Sequence, residues 1–206
     1  MTWELALIWI GWMLAGSSPG PATLAIAGTA MERGRASALA VSFGVLAGSA
    51  CWGIAAAAGL SAIMLANVWV FEVIRYLGAG YLLYLAIKAA RSAWAGATAA
   101  SGNPFKGDLR VLFAKGAALH ITNPKAILSW GSIYAIAAPA GSTPTDLIWY
   151  FCFFYAGSIM IFPTYALIFS SAGITATYTR AKRWFDAAFA AFFGAASLKL
   201  LTTRLQ

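Results

Sequence analysis

The chain has 206 residues, 61% of them hydrophobic and 10% charged, with a formal net charge of +8. Soluble domains carry about 25% charged residues, and a membrane span needs about 20 apolar residues, so the chain has room for several spans and for no separate soluble domain. Continuous apolar runs argue against the alternating strands of a β-barrel, and two cysteines and one histidine without a CxxC or Cys/His cluster argue against a structural metal or haem site.

Six apolar segments follow in order: Leu5–Met31, Ala36–Leu60, Val70–Ala90, Val111–Ala138, Leu147–Ser170 and Trp184–Leu201. Met1-Thr2-Trp3-Glu4 lacks the basic start of a signal peptide, so the first segment is expected to be retained. That segment is interrupted by Ser17-Ser18-Pro19-Gly20-Pro21. Proline in a helix interior costs about 3 kcal/mol. Hydrocarbon cannot satisfy the freed backbone groups, so a break at that depth is tolerated only in contact with protein or a cavity. The stretch is therefore expected to be a broken helix at a substrate site.

In the second segment Gly44 and Gly48 form GxxxG, extended by Ala40, which marks close helix packing within the chain or between subunits. Ile63–Trp69 reads as a short interfacial piece. Glu72 and Arg75 open the third segment at pairing distance; the plain reading is an ion pair at the interface, and the functional one makes Glu72 a proton or ammonium acceptor. Residues 93–107, rich in Ala, Gly, Ser, Thr, Asn and Pro, read as a loop between two halves, 1–92 and 108–206, of a single membrane domain. Three spans per half is an odd number, so related halves would be inverted.

The fourth segment holds His120-Ile121-Thr122-Asn123-Pro124-Lys125. Asparagine or glycine suits an N-cap, and proline the first helical position. Gly20-Pro21 and Asn123-Pro124 therefore both read as helix starts within the membrane, at matching places in the two halves. Each would present unpaired N–H groups and the positive end of a helix dipole. Together they suit a carboxylate, with Gly16, Ser17, Ser18 and Thr122 supplying small polar walls and free carbonyls and Pro19 counted with the first break as substrate-binding. Two kinks that only shape packing are the plain alternative. Lys125 lies about 13 residues, roughly 20 Å, from either end of its segment. A central lysine usually faces a cavity or a partner, and here it is read as counter-charge to the carboxylate. His120 is a candidate proton carrier, although a lone histidine more often bonds a carbonyl. Trp and Tyr are plentiful and most are expected at interfaces or facing lipid. Cys51 and Cys152 sit in the second spans of the two halves and read as small apolar fillers.

Arg33 and Arg35 lie in the first connection, Lys88, Arg91, Lys106, Arg110 and Lys115 in or beside the third, and Arg180, Lys182 and Arg183 in the fifth; the second and fourth have none. Alternation puts the basic connections in the cytoplasm and both termini outside, against Lys199 and Arg204. It also accounts for the positive charge without nucleic acid. The fold expected is all-α: six transmembrane helices as two inverted three-helix repeats, with the first and fourth helices broken. No nucleophile–base–acid set or cofactor motif stands out, which argues against an enzyme.

Ser18-Pro19-Gly20-Pro21-Ala22-Thr23-Leu24, Gly34-Arg35, Phe71-Glu72-Val73, Leu77–Leu85 and Thr122-Asn123-Pro124-Lys125-Ala126 resemble, in that order, the LysE/RhtB amino-acid exporter family, over about residues 5 to 200. The resemblance implies a multi-pass exporter of amino acids or close derivatives in the bacterial cytoplasmic membrane. It implies a proton-gradient drive and alternating access around a midplane site, with a small-molecule amino acid, a coupling proton and lipid as partners. A homo-oligomer stays open. Ala22, Ser49 and Ala138-Pro139-Ala140 depart from the family's usual residues, which argues against a charged or strongly polar substrate, and hence against lysine or arginine. Two other readings stay open: a thiol–disulfide electron carrier using Cys51 and Cys152, and a non-transporting assembly factor held by the GxxxG face.

Overall fold

A computed structural model describes residues 3–66, 68–95, 105–139, 141–171, 173 and a subset of 181–201, without the side chains of 60–75 and of several further α3 positions. The regular elements are helices: α1 (Trp3–Ser17), α2 (Pro21–Ala66), α3 (Val68–Ala95), α4 (Leu109–Ile121), α5 (Pro124–Ala137) and α6 (Pro144–Ile168). The described residues of 181–201 are helical too. The Ile63–Trp69 piece is divided between the end of α2 and the start of α3.

Both expected breaks are present. α1 stops at Ser17 and α2 starts on Pro21; α4 stops at Ile121 and α5 starts on Pro124. Pro163 behaves differently, lying inside α6 without ending it. It follows Ile159-Met160-Ile161-Phe162, which offers no capping side chain. Proline alone does not stop these helices; proline after Gly20 or Asn123 does.

α2 is two arms. Gly34 has φ 77° and ψ −176°, a left-handed conformation that costs glycine no Cβ clash. The chain folds back there, and Ile26, Ala27 and Ala30 of the first arm share a core with Ala38, Val41 and Val45 of the second. The connection bearing Arg33 and Arg35 is thus one residue wide. The Arg33 guanidinium ties this turn to the start of the second half, donating to the carbonyls of Phe105 at 3.0 Å and Gly107 at 2.9 Å.

The GxxxG face of α2 packs within the chain. A Cβ at Gly44 would collide with the Phe113 carbonyl, and one at Gly116 with that of Val41, so α2 and α4 cross backbone to backbone. Along this contact Val41 meets Gly116 and Gly48 meets His120, so the second arm of α2 and α4 run in the same direction. α1 and α6 also run together: Trp12 packs on Phe154, Gly16 on Ile161, and the Tyr165 hydroxyl donates to the Ser17 carbonyl at 2.5 Å. α3 and the 181–201 segment run oppositely, joined by Ser92 donating to Asp186 at 2.6 Å and Ser197 donating to the Ala79 carbonyl at 2.9 Å. Large apolar side chains face outward, Phe43 at 53% and Ile148 at 62% exposure among them; such faces suit lipid. Trp12, Trp130 and Tyr134 depart from the expected interfacial role and are buried. They pack α1, α5 and α6 together.

Candidate functional site

The two breaks open on one cavity. Gly20, Ala22 and Thr23 at the start of α2 line it, as do Asn123, Lys125 and Ala126 at the start of α5. His120 closes it from α4, Trp12 from α1, and Ser158 and Phe162 from α6. Its volume is about 50 Å³, room for on the order of four water molecules and too little for an amino acid.

Asn123 caps α5. Its side-chain oxygen accepts from the Lys125 N–H at 3.0 Å, and its carbonyl from Ala126 at 2.9 Å and Ile127 at 3.3 Å. Its own N–H donates to the His120 carbonyl at 3.2 Å. The start of α2 is held differently. The Thr23 hydroxyl accepts from the Gly20 N–H at 2.9 Å and lies 3.1 Å from the Gly20 carbonyl, so it folds back on the break rather than capping the helix. Among the described residues no acceptor meets the N–H groups of Ala22 and Thr23.

Lys125 bridges the two breaks. Its ammonium donates to the Ser18 carbonyl at 2.9 Å and to Ser18 Oγ at 2.6 Å, while Ser18 Oγ donates to the Ala15 carbonyl at 2.8 Å. A cation is favoured at the carbonyl end of a helix, here the end of α1. The stem lies over Gly20, where an added Cβ would be 3.3 Å from both Cδ and Nζ. No Asp or Glu is among the residues lining the cavity, so among the described residues the lysine is held by a carbonyl and a hydroxyl alone.

Of the residues singled out from sequence, Gly16, Gly20, Ala22, Ser49, Asn123, Lys125 and His120 line the cavity, and Ser18 is buried behind it as the lysine's partner. Ser17 contributes its carbonyl to Tyr165. Pro19 is part-buried within the first break, and Pro21 and Pro124 are exposed at the first positions of their helices. Thr122 is exposed and turned back to the carbonyls of Ala118 and Leu119 at 2.9 and 3.3 Å. The Glu72 and Arg75 side chains lie outside the described residues. Cys51 and Cys152 are free and exposed, and neither lines the cavity.

Sequence reasoning missed the far wall. Trp12, Ser129, Trp130, Ser158 and Phe162 line the cavity. Trp130 is fixed by its Nε1 donating to Ser49 Oγ at 3.0 Å and by stacking on Phe151 at 5.7 Å. Trp12 lies against it at 4.7 Å between ring centres. Ser129 carried a usable signal, since it follows Lys125 by one turn on the same face.

The chain matches the family model described as LysE type translocator over residues 13–204. It is 25% identical over 194 residues to the threonine efflux protein of Salmonella typhimurium, covering 93% of this chain and 94% of that one. It is 35% identical over 121 residues to an uncharacterized membrane protein of Pseudomonas aeruginosa, covering 56% of this chain and 55% of that one. A leucine efflux protein of Salmonella choleraesuis is 34% identical over 119 residues, 56% of this chain and 54% of its own length. No solved structure matches. With a family match across nearly the whole chain, the protein belongs to the LysE type translocator family and is a membrane transporter, not an enzyme.

Proposed function

We propose that the protein exports amino acids with uncharged side chains across the bacterial cytoplasmic membrane, with the substrate carboxylate bound where the starts of α2 and α5 meet. The observation that carries the reading is Lys125: a cation reaching across the cavity to Ser18, with no carboxylate among the lining residues. An interior cation is costly unless paired, and a substrate carboxylate supplies the missing partner. The unmet N–H groups of Ala22 and Thr23 add two donors at a positive helix end. Small residues and hydroxyls around them leave nothing to neutralise a cationic side chain. The relatives named for threonine and leucine efflux point to the same class.

The fold is read as six spans in two inverted halves. The element orders support this: α1, the first arm of α2, its second arm and α3 correspond to α4, α5, α6 and the 181–201 segment. Basic connections face the cytoplasm and both termini lie outside. Transport alternates between a state open to one side of the membrane and a state open to the other. The drive is the proton gradient, with His120, in the cavity wall, the candidate carrier and Glu72 the second. The test is efflux from cells expressing the protein and from proteoliposomes with an imposed pH gradient. Faster release of uncharged amino acids than from controls, accelerated by the gradient, is expected. No release above controls in either system contradicts the proposal. The thiol-carrier alternative makes the opposite demand, that replacing Cys51 and Cys152 with serine abolishes activity.

A further inference from the structure

The α6 wall holds a group that the fold does not use. Ser158 is 3% exposed and lines the cavity, yet its hydroxyl takes no hydrogen-bond partner among the described residues. A hydroxyl that opens on a cavity without a protein partner is left for water or a ligand to bond. A serine inside a helix commonly bonds the carbonyl one turn back, as Ser170 does to Ala166 at 2.6 Å. Ser158 does not. Phe162, one turn on, lines the same cavity and packs edge-on to His120 at 5.4 Å, so this face of α6 is turned to the site.

We propose that Ser158 is a substrate-binding residue whose hydroxyl oxygen accepts a hydrogen bond from the substrate's α-ammonium while Lys125 holds the carboxylate, and that this uncharged acceptor excludes amino acids with cationic side chains. The inference rests on the export reading above and assigns the second end of the zwitterion. With Lys125 in place, an ordinary zwitterion leaves one net positive charge in the cavity. A cationic amino acid would leave two, with no acid on any lining residue.

The test uses the full-length protein in proteoliposomes, with labelled L-alanine, L-serine, L-threonine and L-leucine as probes. Competition is measured with 4-methylpentanoate, which is leucine without its ammonium, and with L-ornithine. Ser158→Ala is expected to raise KM for the transported amino acid about tenfold, the usual scale for a hydrogen bond to a charged group, with 4-methylpentanoate inhibiting wild type and variant equally. Ser158→Thr, which keeps the hydroxyl, is expected to stay within about threefold of wild type in KM. Ser158→Asp is expected to bind ornithine where wild type does not. Unchanged KM in Ser158→Ala, equal losses for leucine and 4-methylpentanoate, or transport of ornithine by the wild type at leucine's rate overturns the inference and leaves export standing. If the wild type moves none of the four, the export reading fails and takes the inference with it.

Discussion

The break at 18–20 and the break at 122–123 meet at one cavity but settle their freed backbone groups in opposite ways. The break at 122–123 is self-sufficient: Asn123 caps α5 through its side chain, accepts twice at its carbonyl and ties its own N–H to His120. The break at 18–20 depends on a residue of α5. Thr23 folds back to Gly20, the first N–H groups of α2 stay open, and the end of α1 is served by Lys125 from across the cavity. Two breaks that read alike in sequence are therefore unequal in chemistry. One is a self-capped base that delivers a cation, and the other keeps open N–H groups, the seat proposed for an anion.

The largest effect is expected where the two breaks touch. Lys125→Met removes the cation and leaves the seat intact, and should cut kcat/KM by about a hundredfold, the upper range for a hydrogen-bonded charge, with normal membrane insertion. A fall below threefold in vesicle transport would mean the seat works without its partner. Next comes the self-sufficient break. Asn123→Ala should lower stability by about 1 kcal/mol, as loss of an N-cap does, read as a lower thermal midpoint in detergent. Asn123→Ser should restore the midpoint. Gly20→Ala is expected to be milder. Its Cβ meets only the flexible end of the Lys125 side chain, Cδ and Nζ both at 3.3 Å, so KM should rise by less than about tenfold, without a change in midpoint. If Gly20→Ala instead behaved like Asn123→Ala in melting, the break at 18–20 would be structural too and the contrast would fail. The smallest effect is expected at Pro163, which lies inside α6 without ending it. Pro163→Ala should leave transport within about twofold, because alanine favours a helix that already continues through this position.

Much of this site could be read from local pattern. Gly20-Pro21 and Asn123-Pro124 each combine a cap residue with a proline at the first helical position, and both start helices. Lys125 stood out because a charge at that depth needs an explanation. Its actual partner was not legible. Ser18 lies far away in the chain, and only the fold brings its carbonyl to the ammonium. The α6 wall was illegible for the same reason: Ser158 sits in an unbroken apolar helix, where nothing local separates a cavity-facing serine from a packed one. The GxxxG face announced a close crossing but not its partner, which is settled by Gly116 on α4. The turn at Gly34 was expected as a short connection and proved to be one glycine with a positive φ. The difference between the breaks lies in side-chain direction, Asn123 towards the helix it starts and Thr23 away from it, and residue type alone does not specify that.

The most direct test of the account is to compare binding of L-leucine with that of L-leucinamide, which lacks the carboxylate, in wild type and Lys125→Met. The account predicts that wild type binds the acid at least about tenfold more tightly than the amide, as expected for a charge-assisted contact, and that Lys125→Met binds the two alike. A wild type that does not distinguish them, or a preference for the acid that survives loss of Lys125, would contradict the claim that this lysine joins the two breaks into one carboxylate site.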